Sequence, residues 1–464
     1  MEAPPDILDI VENGYAVPFV NGTLPPAAFV DNNKSALEHS DFLLEEFLRL
    51  ERIGALTRLQ ARSRITLPCS VVFSNKWRVV CDASRHINPY VVKNKVSLDS
   101  LSSVEQSSCP GDFMTKQDLS AGYFHILLRE DMRTNFGVHF RFPSGEIWYW
   151  HWNVLFLGER NAVYLFTKIL KPHRRFLAKN GVRHGLLIDD FLLMSSNFLK
   201  SLMDTQLHLC ALEAAGWVVK PSKCVNHPTQ RITFLGLIKD SVLQAYFIPQ
   251  EKKDRVSRMI ERVLGHEILP VRELASLYGL LISFTKAMGP IIRFLTRFGF
   301  FCINSCSSWN QYATISADCK HELAFILSHM DELEGYRYET VDKPLVVHGT
   351  TLASDASGVG CGVIQFECDA ISLVDQYAFS EAEAAKGSTV RELIAFKRIY
   401  YFLALLFRNR SVLHYTDNLA LVRLFEIGSR RSLLHAMLFD IFIKLNEYKI
   451  NLEVRCLPRE DPTM

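Results

Sequence analysis

The sequence predicts a multi-domain chain in which an α+β region is followed by an α/β domain, and three observations support this prediction. An acidic doublet, Asp189-Asp190, lies between two apolar runs, a pattern typical of a tight turn between buried strands. Asp118 stands where another predicted strand gives way to a turn. Near the C-terminus a predicted strand, helix and strand contribute Asp355, Glu392 and Asp417 in that order. The chain has 464 residues, enough for about two to four domains with sizeable cores.

The doublet at Asp189 and Asp190 indicates a metal site. Two adjacent carboxylates inside an apolar segment are costly to bury unless a cation offsets both charges, and a divalent metal ion is the usual cation. A solvated turn or a helix N-cap is the ordinary explanation of an Asp-Asp pair, but neither requires apolar residues on each side. With Asp118 on a separate strand, the doublet would provide ligands for two Mg²⁺ ions, for which Mn²⁺ could substitute.

The ordered series of motifs between about residues 40 and 460 resembles the reverse transcriptases of retroelements. Asp118 and Tyr123 resemble the first palm motif of that family, in which the Asp binds metal and the aromatic ring walls off the sugar 2′ position. Residues 158–168, beginning with the nucleotide-binding candidate Gly158, are similar to the second motif, which shapes the nucleotide and template pocket. Residues 187–190 resemble the Tyr-x-Asp-Asp hairpin. The resemblance implies an α+β right-hand polymerase of palm, fingers and thumb, followed by an α/β ribonuclease H-like domain.

Further segments extend the resemblance and add candidate residues. Lys223 matches a lysine that protonates the pyrophosphate leaving group. Lys76 and Arg78, two residues apart and hence on one face of a strand, match a Lys-x-Arg pattern that contacts the incoming nucleotide. Two basic residues on an exposed strand face are also commonplace without any such role. The primer grip of the family is matched by Phe234, Leu235 and Gly236.

The chemistry of primer extension explains why these residue types suit the task. One metal ion lowers the pKa of the primer 3′ hydroxyl and a second holds the β and γ phosphates, so carboxylates must converge from different strands. Asp118, Asp189 and Asp190 meet that requirement. A rigid ring such as Tyr123 can separate dNTPs from rNTPs by a clash with one oxygen, although a core aromatic on a half-buried strand is the structural alternative.

The C-terminal acids resemble the ribonuclease H domain that accompanies the polymerase in this family. Residues 345–348 and 352–363 are predicted to form two strands joined by a Gly-rich turn, and Glu392 is predicted to open an apolar helix. Asp355, Glu392 and Asp417 match three of the four acidic ligands that hold up to two Mg²⁺ ions and cut the RNA strand of an RNA/DNA hybrid.

The fourth acidic ligand of the nuclease pattern has no match. In the family it would follow a pattern like Leu457-Pro458-Arg459-Glu460, but here the chain stops at Met464, shortly before that position. Asp461 stands in the wrong place to replace it. We therefore expect a C-terminally truncated nuclease domain, or else impaired cleavage, because this chemistry depends on both ions.

The motifs described above divide the chain into predicted regions. Residues 1–60 form an irregular segment, up to about residue 35, and then a helix predicted over residues 36–59; residues 61–245 form fingers and palm; 246–300 a helical thumb; 301–342 a connection; and 343–464 the ribonuclease H-like domain. Pro270 is predicted to start a thumb helix with an apolar stripe that serves packing, and a connection helix is predicted over residues 320–334.

Composition favours an intracellular protein, in the cytoplasm or nucleus, that binds nucleic acid through local patches. The net charge is only +2, so electrostatic contact with RNA template, DNA primer, RNA/DNA hybrid and dNTPs must come from clusters. The 11 cysteines show no disulfide framework, and the chain has neither a signal peptide nor an apolar run long enough for a membrane span. The candidate clusters, each of which could equally be a solvated face, are Lys171, His173, Arg174 and Arg175; Lys252, Lys253, Arg255 and Arg258; and Arg408, Arg410, Arg430 and Arg431.

Two departures from the family pattern bear on activity. Glu159, Arg160 and Val163 replace small residues and a proline of the second motif, and the charged pair could crowd the templating base. Leu187 replaces the aromatic residue before the doublet. Neither change touches a metal ligand, so we expect an active polymerase with altered efficiency or fidelity.

Three functions remain open at this stage. The first is an RNA-directed DNA polymerase with an attached hybrid nuclease, and the second a decayed or domesticated nucleic-acid-binding protein derived from such an element. The third is an RNA-templated RNA polymerase, which would carry a smaller polar gate than Tyr123. Residues 167–172, 272–279 and 415–418 look most like DIRS-like elements, which mobilise with a tyrosine recombinase, and gypsy-type elements are near neighbours. An element-encoded recombinase or integrase is therefore an expected partner.

Overall fold

A computed structural model describes residues 3–73, 76–338, 349–367 and 370–457, and its contacts divide the chain into two units, residues 1–235 and 236–464. The predicted strand at residues 345–348 lies outside the described residues. So do Pro458-Arg459-Glu460 and Asp461 of the C-terminal pattern.

The first unit mixes short helices with several β-sheets. Its helices are α1 Pro5–Asn13, α2 Lys34–Glu38, α3 Ser40–Arg52, α4 Leu101–Ser107, α5 Ala162–Ile169, α6 Lys171–Lys179 and α7 Phe198–Ala214. Its strands are β1 Ala28–Phe29, β2 Leu56–Leu59, β3 Ile65–Thr66, β4 Cys69–Phe73, β5 Trp77–Cys81, β6 Phe113–Asp118, β7 Gly137–Arg141, β8 Ile147–Trp152, β9 Arg183–Leu187, β10 Asp190–Ser195, β11 Val225–Thr229 and β12 Arg231–Phe234.

The sheet that carries the acidic doublet has the strand order β11-β6-β10-β9. Strand β10 lies in the core of this sheet, because its residues Phe191, Leu192, Leu193 and Met194 are all nearly inaccessible to solvent. Helix α7 packs on this sheet, and the hydroxyl groups of Thr205 in α7 and Thr115 in β6 lie 2.7 Å apart. A strand buried on both faces holds its register firmly, since a slip of one residue would move every side chain to the opposite face.

A second sheet of this unit has the order β1-β3-β7-β8-β2, and a separate hairpin joins β4 to β5. Trp150 on β8 is fully buried against Phe47 of α3, and its indole N–H donates to Glu51 at 2.9 Å. A buried indole needs such a partner, and this contact fixes α3 against the sheet.

The prediction for residues 1–60 is wrong in two details. Residues 5–13, expected to be irregular, form α1, because Pro5 occupies the first helical position and Ile7 and Ile10 face the core. The helix expected to reach Leu59 ends at Arg52, and β2 begins at Leu56 because its backbone pairs with β8.

A buried histidine pair lies behind β10. His173 Nε2 and His208 Nδ1 are 2.8 Å apart, and both rings pack on Phe191. Burial lowers the pKa of His173 to about 4, and burial together with His173 lowers the pKa of His208 well below its ordinary value. The folded state therefore holds both rings neutral.

We expect this pair to make the first unit less stable in acid. Both pKa values are lower in the folded chain than in the unfolded chain, so the stabilisation is complete above about pH 6.5 and is lost as the pH falls toward 4. At pH 5.5 the loss should be about 1 kcal/mol for each histidine. Urea unfolding followed by tryptophan fluorescence reports mainly on this unit, which holds five of the six tryptophans.

A matched pair of variants tests the assignment of this acid sensitivity. In His208→Gln the fall in unfolding free energy between pH 7.5 and 5.5 should shrink by about 1 kcal/mol, the contribution expected of one histidine. The exposed His227 of the same unit serves as the control, and His227→Gln should behave as the parent. An unchanged pH profile in His208→Gln would contradict the assignment.

The second unit combines helices with a mixed sheet. Its helices are α8 Gln250–Leu264, α9 Val271–Ser283, α10 Thr285–Met288, α11 Ile291–Phe294, α12 Arg297–Asn304, α13 Ala317–Leu333, α14 Glu381–Ala384, α15 Ser388–Lys397, α16 Leu419–Ile427 and α17 Ser432–Glu447. Its strands are β13 Leu237–Asp240, β14 Ala245–Phe247, β15 Ile268–Pro270, β16 Tyr312–Thr314, β17 Thr350–Ala356, β18 Gly360–Glu367, β19 Ala370–Ala378, β20 Ser411–Thr416 and β21 Asn451–Cys456.

The apolar stripe of α9 is buried, as predicted. Pro270 directly precedes this helix, and the stripe residues from Val271 to Phe284 are at most 2% exposed. The connection helix extends slightly further than predicted, from Ala317 to Leu333. Glu322 of that helix is fully buried and accepts hydrogen bonds from Phe298 N and Gly299 N, which satisfies the first turn of α12.

The sheet of the C-terminal region has the order β19-β18-β17-β20-β21. Strands β17 and β20 run parallel, as do β20 and β21, while β17-β18 and β18-β19 are antiparallel. Glu392 does not open its helix as predicted but lies one turn inside α15, because the helix already begins at Ser388. No helix in the described ranges is long and apolar enough to cross a lipid bilayer.

Candidate active sites

Strand pairing brings Asp118 beside the acidic doublet. Strand β6 ends at Asp118, and its antiparallel register with β10 pairs Asp118 directly with Asp190. The amide of Leu119 donates to Asp189 O at 3.2 Å, which continues the contact beyond the paired strands. The residues are remote in sequence, yet the sheet sets their backbones side by side.

The doublet sits at a two-residue hairpin turn with a strained backbone. Leu187 pairs with Asp190, so Ile188 and Asp189 form the turn. Ile188 has a φ of 57°, in the left-handed region that a β-branched residue rarely occupies. Such strain persists where surrounding structure enforces it, here the buried β10, and it is concentrated at functional sites.

Two lysines compensate the charge of these carboxylates. Lys223 Nζ donates to Asp118 Oδ2 at 2.7 Å, and Lys116 Nζ lies 3.7 Å from Asp190 Oδ1. The bond to Asp118 raises the pKa of Lys223, whereas burial raises the pKa of both Asp189 and Asp190. The doublet is therefore costly to ionise without further positive charge.

Lys223 reaches Asp118 because two backbone segments run together. Ser120 N donates to Val218 O at 2.7 Å, and Lys220 N donates to Asp118 O at 2.8 Å. Lys116 was not among the predicted site residues, although the period of two along a strand places it on the same face as Asp118. That spacing was the signal that could have identified it.

The donor set of this site suits a divalent cation. Within the described residues, Asp190 Oδ1 is buried and accepts no hydrogen bond, so it retains an open ligand position. Carboxylate oxygens are the ligands that Mg²⁺ prefers. Asp118, Asp189 and Asp190 are the residues that would hold it.

Tyr123 packs against a buried aromatic ring and is near enough to Asp189 for the two groups to interact electrostatically. It is half-buried in a 3₁₀ turn, Gly122–His125, and packs on Phe166 with ring centroids 5.2 Å apart. Burial, with a smaller contribution from Asp189, raises the pKa of its hydroxyl. A Cβ at Gly122 would lie 2.6 Å from Phe166, so the glycine permits this close approach.

The segment from Gly158 to Asn161 is held by its neighbours through hydrogen bonds. Asn88 is the main partner, because its Nδ2 donates to Gly158 O at 2.9 Å and its Oδ1 accepts from Arg160 N at 3.0 Å. The Arg160 guanidinium donates to Asn88 O at 2.7 Å. Asn161 Nδ2 donates to Val92 O at 2.8 Å.

The side chains of Glu159 and Arg160 both form hydrogen bonds with nearby residues of the first unit. Glu159 is 5% exposed, and burial raises the pKa of its carboxyl group to about 7. Its Oε2 accepts from Asn161 N at 2.8 Å. The charged pair therefore contributes to the local framework of the loop.

We expect Gly158→Ala to disrupt this loop. Gly158 has a φ of 119°, and a Cβ would lie 2.1 Å from Cys81 O, so the backbone must move. The expected loss is about 2 to 4 kcal/mol of unfolding free energy. Gly145→Ala is the control, since Gly145 has a φ of 90° but open space around it, and it should cost about 1 kcal/mol. Equal losses in the two variants, measured by urea unfolding, would show that the Cys81 contact is unimportant.

The remaining candidates of the polymerase pattern occupy exposed or boundary positions. Arg78 is exposed on β5 opposite Val72, while Lys76 is exposed and precedes the strand, so the two do not share one strand face as predicted. Phe234 is buried at the end of β12. Leu235 and Gly236 both have positive φ angles, 48° and 78°, and form a turn.

The second acidic cluster is tighter than the first. Asp355 at the end of β17, Glu392 in α15 and Asp417 after β20 offer carboxylate oxygens that all lie within 4.8 Å of one another. Among the described residues, this is the one group of three potential metal ligands whose ligand atoms lie this close together. The carboxylate oxygens of Asp118, Asp189 and Asp190 are therefore farther apart than those of the second cluster. Asp118 and Asp190 each contact a lysine, which is consistent with the wider spacing of the carboxylates in the first cluster.

Glu392 is the buried member of this cluster. It is 3% exposed, and burial raises the pKa of its carboxyl group to about 7. Its Oε1 accepts from Ala356 N at 3.0 Å, whereas within the described residues Oε2 accepts no hydrogen bond. The three carboxylates fit a divalent cation, and Asp355, Glu392 and Asp417 would hold it.

Comparisons with known proteins agree with this fold. Residues 71–238 match the family model described as "Reverse transcriptase (RNA-dependent DNA polymerase)". A search of curated proteins gives no match.

Solved structures with a similar fold include three of foamy viral protease-reverse transcriptase. The form called dRH in complex with double-stranded DNA has a TM-score of 0.55 at 18% identity, with 98% of this chain and 75% of that chain covered. The RNA/DNA hybrid complex has a TM-score of 0.57 at 17% identity, with 97% and 58% covered. The complex with double-stranded DNA has a TM-score of 0.56 at 17% identity, with 98% and 93% covered. The chain therefore shares the mixed α/β fold of these reverse transcriptase structures.

Proposed function

We propose that the chain is an RNA-directed DNA polymerase that extends a primer with dNTPs, with its acidic doublet in the first unit. The observation that carries the proposal is the pairing of Asp118 with Asp190 beside the strained turn of Asp189. The family match over residues 71–238 supports the same activity. Its substrates would be an RNA template, a DNA primer and dNTPs.

The proposed mechanism assigns a task to each candidate residue. Asp118, Asp189 and Asp190 would hold two Mg²⁺ ions, which would lower the pKa of the primer 3′ hydroxyl and neutralise the triphosphate. Lys223, which donates to Asp118 Oδ2, would supply a proton to the departing pyrophosphate. The triphosphate and primer are positioned by Lys76, Arg78, Gly158, Phe234, Leu235 and Gly236.

Tyr123 is proposed to exclude ribonucleotides. The ring is supported by Phe166 and lies near Asp189, where a ribose 2′ oxygen would meet it. Tyr123→Ala should therefore lower the preference for dNTPs over rNTPs by about 100-fold, measured as the ratio of kcat/KM values. Tyr123→Phe keeps the ring and should keep the preference. An alanine variant as selective as the parent would assign the ring a packing role only.

Extension of a DNA primer on an RNA template with Mg²⁺ or Mn²⁺ tests the polymerase directly. DNA synthesis from dNTPs supports the proposal. Binding of the primer-template without synthesis would instead indicate a decayed or domesticated binding protein, and synthesis only from rNTPs would indicate an RNA polymerase. Neither of these results is compatible with the proposed activity.

We also propose that the second cluster gives the chain ribonuclease H activity. Asp355, Glu392 and Asp417 would hold up to two Mg²⁺ ions, which activate water for cleavage of the RNA strand in an RNA/DNA hybrid. The mutual spacing of the three carboxylates supports this role. Release of short RNA fragments from a labelled hybrid is the test, and an intact hybrid after prolonged incubation would refute it.

The origin proposed for the chain is a retrotransposon. The ordered motifs and the segments quoted for DIRS-like elements support it, with gypsy-type elements as neighbours. We propose an intracellular location, in cytoplasm or nucleus, and an element-encoded recombinase or integrase as a partner.

A further inference from the structure

A positively charged cavity lies in the second unit, and its lining includes none of the three acidic residues of the nuclease-like cluster. Its volume is about 700 Å³, and its walls come from α12 and from the start of α17. Arg297, Arg430, Asn304, Ser305 and Ser432 supply the polar part of the wall. We call it the arginine cavity.

The arginines of this cavity lack acidic partners. In the part of the chain that the structure describes, neither Arg297 nor Arg430 forms an ion pair, whereas Arg183 and Arg398 each contact an aspartate. Arg297 donates two hydrogen bonds to Ile427 O, at 3.0 and 2.9 Å, at the C-terminal end of α16. A guanidinium has five N–H donors, so three remain for a ligand.

The charges around the cavity repel one another. Burial, with the nearby Arg430 and Arg293, lowers the pKa of Arg297, which is the expected effect of like charges at close range. Glu322 is the acidic group that faces Arg297 most directly, but burial raises the pKa of its carboxyl group strongly. Its carboxylate already accepts hydrogen bonds from Phe298 N, Gly299 N and the Tyr278 hydroxyl, and an external anion would relieve the repulsion between the arginines.

The start of α17 adds further donors to the same wall. Ser432 is the first residue of this helix, and no side chain caps the helix N-terminus at Arg431. The first backbone N–H groups of a helix favour an anion. Guanidinium groups, a serine hydroxyl and these amides are all hydrogen-bond donors. Together they suit a phosphate better than an apolar ligand.

Helix α16 begins beside Asp417 of the nuclease-like cluster and ends at the arginine cavity. Asp417 and Asn418 immediately precede α16, and Arg297 binds the carbonyl of Ile427 at its other end. The nine residues of the helix span about 13 Å. A duplex advances by that distance in roughly four base steps.

We propose that the arginine cavity binds a backbone phosphodiester of the nucleic-acid duplex whose RNA strand is presented to Asp355, Glu392 and Asp417. This inference rests on the ribonuclease H activity proposed above and adds a separate anchoring site. A free phosphate ion has the same chemistry, so the test must distinguish the two sources.

The test measures binding of the full chain to a labelled RNA/DNA hybrid by fluorescence anisotropy, in a chelator, over a series of NaCl concentrations. Arg430→Gln should weaken binding about tenfold at low salt and reduce the slope of log K against log salt by about 0.9. Arg430→Lys should keep most of the slope. Arg430 is exposed, and its side chain forms no hydrogen bond or ion pair with the described residues, so these substitutions spare the folded state.

Arg455→Gln provides the matched control, because Arg455 is an exposed arginine of the same unit whose charge is offset by Glu453. It should match the parent. An Arg430→Gln slope equal to that of the parent would overturn the proposal. If inorganic phosphate raises the Tm of the parent but not of Arg430→Gln, while the hybrid slopes agree, the cavity binds a free anion and the backbone assignment is wrong. A parent that binds no hybrid would refute the proposed nuclease itself.

Discussion

Replacement of Asp189 by asparagine is expected to reduce primer extension by about 10³-fold or more, while cleavage of an RNA/DNA hybrid continues at the parental rate. The side chain keeps its shape but loses the charge with which it would hold a cation. The two acidic clusters belong to different units, so the loss should be confined to synthesis. Product length on an RNA template and fragment release from a hybrid are scored separately.

Asp131→Asn is the control for this experiment. Asp131 is exposed, pairs with Arg129 and belongs to the same unit, so its replacement should leave synthesis unchanged. Loss of both activities in Asp189→Asn would show that the two clusters do not work independently. Full synthesis in Asp189→Asn would remove the doublet from the mechanism.

Replacement of Glu392 by glutamine is expected to have the reciprocal effect, with cleavage reduced by about 10³-fold and synthesis retained. The melting temperature, Tm, is a second readout that separates a role in cleavage from a structural role. Glu392 is a buried carboxylate with one oxygen unsatisfied among the described residues, so a neutral amide should raise the Tm by a few degrees in a chelator. Stability gained as activity is lost is typical of catalytic residues.

The exposed Glu426 on α16 offers a control, and Glu426→Gln should change neither cleavage nor Tm. A Glu392→Gln variant that still cuts the hybrid would exclude Glu392 as a ligand. A fall in Tm without loss of cleavage would assign it a structural role only.

The sequence predicted best those elements whose signal is local and periodic. The apolar runs around Asp189-Asp190 placed β9 and β10, and the stripe from Val271 to Phe284 placed α9 with its buried face. These patterns follow the repeat of the backbone itself, so they survive without knowledge of tertiary contacts. The assignment of site residues to chemistry stays a prediction.

Other features depend on partners remote in sequence and could not be predicted. The helix expected to reach Leu59 stops at Arg52 because β8, far along the chain, pairs with β2. The arginine cavity joins Arg297 to Arg430, and no local pattern connects them. The contacts of Arg160 likewise depend on Asn88, and crowding of a template base by the charged pair stays a prediction.

The difference between two hairpins of the first unit has a practical consequence for labelling the protein. The β9–β10 turn is fixed by a strand whose side chains are buried, so an insertion there would displace the carboxylates. The β7–β8 turn carries Gly145 with open space around it, and exposed turns of this kind tolerate inserted residues. A fluorophore or affinity tag introduced at Gly145 should therefore leave the acidic doublet in place.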